Sequence, residues 1–294
     1  MKKYLFAIMA VLLALTSCTD SQFIEEINGN LSKLSSSNEI NALIEQARWG
    51  DGQAYLKLAD CYRDGKGVKQ DFAGMLTMLA QAEEYGGIPN MEDYLKNMPE
   101  GSDFKLIFDA VTNYEKKNVE EATLMFEQLS AKGITDGYAV QGTLAVMHGD
   151  TLRGARLIEQ AATSGSIFAE LLQCLPEMRG GNTLDVEQLI AMSEKSPMAN
   201  VFLAKIYSGA DDDNMRNETL AAQYYLKADE NACLGKRGAK WLLSYHHGGG
   251  ELQLSERDIQ RLQKLAGEGY DAMAESAIES VDVVDVQDTL IVKQ

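Results

Sequence analysis

A helix, a glycine-marked reversal and a second helix recur along this chain, and that recurrence constrains its fold more than any other feature. The clearest copy runs from Asp51 to Gly86, DGQAYLKLADCYRDGKGVKQDFAGMLTMLAQAEEYG. Ala54, Leu58 and Tyr62 fall at i, i+4 and i+8 and make one apolar helical stripe. Gly65-Lys66-Gly67 ends that helix, because glycine reaches the φ > 0 conformations a sharp reversal needs. Asp71 is placed to cap the next helix, whose stripe is Phe72, Leu76 and Leu79/Ala80.

The pattern returns with variations. Phe104, Phe108, Val111 and Tyr114 precede Val119, Ala122, Phe126 and Leu129, with Asn118 and Glu121 as an N-terminal capping signal. Val140, Leu144 and Met147 are followed, after Gly149-Asp150, by Leu152, Ala155, Ile158 and Ala162. The copy from Ser166 to Ser196 is worse: Pro176 cuts its first helix after Leu175, and Val186, Leu189 and Ile190 carry its second. Ala199, Leu203, Ala204, Tyr207 and Gly209 restate the first-helix motif, with Tyr224 to Ala228 as the second helix. In the last copy Ala239, Leu243 and His247 align with Ala54, Leu58 and Tyr62, and Ser255-x-x-Asp258 caps a helix bearing Ile259, Leu262, Leu265 and Ala266. Six units of 31 to 36 residues result, with a partial helix before Gly50 and another from Asp271. One helix pair cannot bury its apolar face alone, so each must be completed by its neighbours. The expected fold is all-α, a solenoid of stacked antiparallel helix pairs.

Ala54-x3-Leu58-Ala59-x2-Tyr62-x2-Gly65-x-Gly67-Val68, followed by Asp71, Ala73, Ala80, Ala82 and Gly86, resembles a Sel1-like repeat, a subclass of the tetratricopeptide-type α-solenoids. The resemblance implies a right-handed superhelix with a concave surface, and adaptor roles in assemblies or signalling. Some secreted members of that family are linked to β-lactam recognition, but those carry a paired-cysteine pattern that this chain lacks.

The first residues read as an address. Lys2-Lys3 form a positive region and Tyr4 to Leu15 an apolar one, too short to span a bilayer and typical of a secretory signal. Leu15-Thr16-Ser17-Cys18 then resembles a bacterial lipobox. It implies cleavage before Cys18 and lipid attachment there, and several acyl chains anchor a protein stably where one does so marginally. Thr19 stands where an aspartate would favour inner-membrane retention in the enterobacterial sorting rule, so the outer membrane is the expected site. The expected organisation is a signal peptide over 1–17, Cys18 and a tether over 18–38, the solenoid over 39–280 and an acidic tail over 281–294, whose valine–acid alternation has no obvious partner strand. Pro89 and Pro99 bracket a spacer between the first two units, with a short helical run between Met91 and Met98.

Charge narrows the partners. Loss of a leader with two lysines takes the formal net charge from −17 to near −19. No basic stripe stands out to bind phosphate backbones or anionic lipid. Cys61, Cys174 and Cys233, an odd number, cannot complete a disulfide framework and have no CxxC spacing for zinc or redox work. Motifs for nucleophilic, zinc-hydrolase or nucleotide chemistry are missing, and neither catalytic residues nor a cofactor is expected. His246 and His247 are adjacent on a helix and point about 100° apart, which disfavours joint metal binding. His148 sits at a helix–turn junction, and His247 takes the tyrosine position of the repeat, which favours packing. Asp211-Asp212-Asp213-Asn214 offers oxygens for calcium without the spacing of an EF-hand, and reads as a solvated insertion.

The function expected from these features is a lipid-anchored envelope scaffold that holds a basic or neutral protein partner on its concave face. The alternative is an envelope lipoprotein that recognises glycan or peptidoglycan fragments, favoured if Tyr224, Tyr225 and Trp241 face solvent around one cleft. Tyr55 is a further candidate ring. Aromatic residues at helical spacing are more often core.

Overall fold

The structure, a computed structural model, describes residues 34–179, 184–209 and 213–267. Among them every regular element is a helix. Helix α1 (Leu34–Arg48) precedes the first unit, α2 (Gly52–Asp64) and α3 (Phe72–Glu84). The spacer forms α4 (Met91–Lys96), and the second and third units are α5 (Asp103–Glu115) with α6 (Val119–Ala131) and α7 (Thr135–Met147) with α8 (Thr151–Thr163). The fourth unit has α9 (Ile167–Cys174), the single turn α10 (Pro176–Arg179) and α11 (Val186–Met192). The fifth has α12 (Pro197–Tyr207) and α13 (Glu218–Asp229), and the sixth α14 (Gly235–His247) and α15 (Glu256–Ala266). The two helices of each unit pack on one another and successive units stack, the solenoid that the periodicity predicts. No described helix is long and apolar enough to cross a membrane. The signal peptide, Cys18, the helix expected from Asp271 and the acidic tail all lie outside the described residues.

Local chemistry explains the boundaries. Gly65 closes α2 at φ +67°. Asp71 opens α3 by accepting from the Ala73 amide at 3.0 Å, and Ser255 opens α15 by accepting from that of Asp258 at 3.1 Å. Asn118, expected to cap α6, makes no side-chain cap; Lys117 just before it sits at φ +66°, and the Asn118 amide group turns to Asn113 instead. Proline ends α9 early, since residue 176 cannot donate to a fourth-previous carbonyl, and Leu175 turns extended.

Most of the expected stripe residues are buried. Ala54, Leu58, Phe72, Leu79, Phe104, Phe126, Leu144, Leu203, Leu243 and Leu262 belong to the core. Others move outward. Leu152 is 67% exposed, Val119 and Ile190 are also exposed, and the buried face of α8 is Gly154, Ile158 and Ala161. Of the expected stripe Ile158 is buried and Ala155 and Ala162 are half-buried, while Leu152 turns outward because the inward residue of the first turn is Gly154. A Cβ on Gly154 would lie 2.6 Å from the Gly142 carbonyl and 2.4 Å from Val146 Cγ2, so the glycines of α7 and α8 let the backbones touch. His247 does not take a packed tyrosine's place. It is the last residue of α14 and exposed, since the glycines after it leave nothing folded over it.

The array curls until its ends meet. Arg48 of α1 and Arg261 of α15 both bind Asp229 of α13, at 2.9 Å for Arg48 Nη2 and at 2.7 and 2.5 Å for the two Arg261 nitrogens. The Tyr85 hydroxyl donates to the Leu265 carbonyl at 3.0 Å, and Lys236 Nζ stands 3.9 Å from Glu84. The first unit therefore touches the sixth, and the concave side is a short, partly filled space instead of a long open wall.

Candidate functional site

The inner side of the curl holds a cleft of about 200 Å³ to which the first five units contribute. Its apolar wall is Tyr62, Phe104, Phe168, Leu171 and Met198, and Lys69, Gln70 and Lys195 stand among its polar residues. Four helices start at it: α3 after Asp71, α7 after Ile134, α9 after Ser166 and α12 after Ser196. Helix starts carry partial positive charge from amides without intrahelical partners. Ser196 makes no side-chain cap and the first turn of α12 holds no acidic residue, so the charge there is not offset locally; at α7, where Ile134 makes no cap, Asp136 in the first turn offsets it.

Two carboxyl groups sit among these helix starts. Asp71 accepts from the Ala73 amide at 3.0 Å. Asp136, in the first turn of α7, accepts from the Phe72 amide at 3.1 Å and from the Ser166 hydroxyl at 2.7 Å. Ser166 in turn accepts from the Ala169 amide at 3.0 Å and caps α9. Asp136 thus ties the first, third and fourth units through one side chain. Burial raises the Asp71 carboxyl to about 7, helped by the nearby Asp136 and opposed by the Gly74 and Ala73 amides and by Lys69. Asp136 is also raised, chiefly by burial, against the Ser166 and Phe72 hydrogen bonds and Lys69. Asp136 is buried and Asp71 half-buried, and two such acids accepting amides of one helix start favour holding one proton between them.

Lys69 Nζ donates to the Gly165 carbonyl at 3.3 Å, which closes one side of the cleft, and Lys195 lies 3.9 Å from Glu170. Within a chain this acidic the cleft therefore combines two ammonium groups, one unoffset helix start at α12 and a carboxyl pair on an apolar floor.

The residues singled out in the sequence are scattered. Asp211 and Asp212 lie outside the described residues; Asp213 opens the 3-10 turn Asp213–Met215, and Asn214 follows within it. Among the described residues no three His, Cys, Asp or Glu side chains are grouped to hold a metal. His246 and His247 stand edge to face with ring centres 5.6 Å apart, and His148 packs on Tyr114. Cys61, Cys174 and Cys233 form no disulfide with one another. The condition that would favour glycan recognition is not met. Tyr225 is buried and packs on Trp241 of α14 at 5.1 Å, and Tyr224 stacks on Tyr207 of α12 at 5.8 Å, so these rings, Tyr224 and Trp241 half-buried, pack between helices. Tyr55 is buried and stacks on Tyr85. Asp136, Ser166, Lys69 and Lys195 were not singled out from the sequence. Their one shared signal is position, since all four stand at or beside helix starts next to the turns.

No protein-family model matches the chain, and no curated protein matches it in sequence. Among solved structures it is similar to a Sel1 repeat protein from Oxalobacter formigenes, at 17% identity and a TM-score of 0.42, over 78% of this chain and 98% of that one.

Proposed function

We propose that this protein is a lipid-anchored scaffold of the cell envelope, non-catalytic, that holds a protein partner by a short segment inserted into the cleft of the curl. The observation that carries the reading is the cleft itself: a preformed space with an apolar floor and charged edges, built by residues from five stacked units. A rigid site of this kind loses little freedom on binding. Its size admits side chains of a segment and excludes a folded domain. The excess of acidic residues favours a basic or neutral partner, with association that weakens as salt rises. Anchoring rests on the signal-like leader and Cys18.

A photoreactive amino acid at Gln70, in the cleft, and one at Leu152, on the exposed outer face of α8, test the reading in intact envelopes. One stoichiometric protein joined from position 70 and not from 152 supports it. Equal capture from both positions, or capture of glycan alone, contradicts it. Radiolabelled palmitate should enter the wild type and not Cys18→Ala; equal labelling removes the anchor.

A further inference from the structure

The polar junction between the first unit and the third and fourth is small, and Asp136 stands at its centre. Its carboxylate receives the Phe72 amide from α3 and the Ser166 hydroxyl from the start of α9, while Asp71 caps the same end of α3. Two carboxyl groups therefore share one helix start. The partial charge there accommodates one negative charge readily, and a second adds repulsion inside a poorly hydrated joint.

We propose that the Asp71–Asp136 pair is a proton-held latch: with one proton between them the Gly65–Asp71 loop stays seated on the third and fourth units, and loss of that proton loosens the joint and widens the cleft. The latch belongs to the chain alone and stands whether or not a partner enters.

The groups facing the pair come from each neighbouring element. Lys69, in the loop before α3, favours ionisation of both acids. Lys195, before α12, lies at the cleft and is drawn toward Glu170 of α9. Ser166 donates its hydroxyl, and Tyr62 of α2 lines the same space. Burial outweighs Lys69, since both carboxyls stay above their ordinary value of 3.8. The sign follows. The closed joint holds a proton that the opened one releases, so closure is strongest in acid and weakens as pH rises from about 4 to about 7, with little change beyond.

Hydrogen exchange of the full chain, corrected for intrinsic rates, tests this at amides 72–75, 135–138 and 167–170. Protection should fall by about tenfold per pH unit between pH 5 and 6.5, the slope of one linked proton, and level off above about 8. Asp136→Asn keeps a side-chain acceptor for the Phe72 amide without the charge, and should end the fall in protection at a lower pH, since Asp71 then keeps only the part of its rise that burial causes. Asp71→Asn retains a good helix cap and gives the same test if the first variant folds poorly. Carbon-13 titration of the aspartates should show a carboxyl of the pair changing near pH 7. A flat wild-type profile, a fall over an unchanged pH range in the variants, or both carboxyls titrating below pH 5 would overturn the latch.

Discussion

Asp229 is 2% exposed and accepts from arginines at opposite ends of the chain, Arg48 and Arg261. Arg261 is buried to the same degree, and Asp229 is its nearest counter-charge, with Asp258 farther off at 3.4 Å. Asp229→Asn should lower stability by about 3–5 kcal/mol, since a buried guanidinium loses its counter-charge, and urea unfolding would read the loss. Gly154 is a second sensitive position. Gly154→Ala brings a methyl against the Gly142 carbonyl, and overpacking of this kind costs about 1–3 kcal/mol by the same measurement. Neither role was legible in the sequence. Periodicity reports which side of a helix faces inward, whereas the Asp229–Arg261 pair spans 32 residues and joins two different units. The outward turn of Leu152 was hidden for a related reason: Gly154 carries no hydropathy signal, so in the first turn of α8 the apolar Leu152 stood out instead, although Ile158 one turn on faces inward as its spacing predicts.

Helices and their ends were the most legible level. Stripes of period 3.6 located the pairs, and Gly65, Asp71, Ser255 and Pro176 marked where helices begin and stop, because each acts through its own backbone or the next turn. Asn118 failed as a cap because the φ +66° backbone at Lys117 directs the preceding chain elsewhere. The cleft was less legible, since its helix starts come from units far apart in sequence and meet only through the curl. Ser166 links the two levels: it caps α9 and donates to Asp136. Ser166→Ala should cost about 1 kcal/mol from the lost cap and more from the lost partner of a buried carboxyl. Faster amide exchange at the start of α9 and at the start of α3 together would show that both links were cut; a change at α9 alone would show that Asp136 finds another donor.

At the scale of the molecule, the stacked pairs were expected and the closure of the curl was not. Stacking follows from the apolar stripes, but curvature is the sum of small offsets at each interface, and those depend on packing details such as the Gly142–Gly154 approach. Closure decides the size of the inner space and so the kind of partner that fits. Zero-length carbodiimide coupling of the native chain tests it most directly, because it joins an amine and a carboxylate only where they touch. Lys236 and Glu84, 3.9 Å apart and each more than a third exposed, should yield one isopeptide-linked peptide between the sixth unit and the first. Recovery of that link at protein concentrations too low for association between molecules is the outcome this account predicts. Its absence, where Lys96–Glu92 within α4 couples efficiently, would show an open array whose ends stand apart.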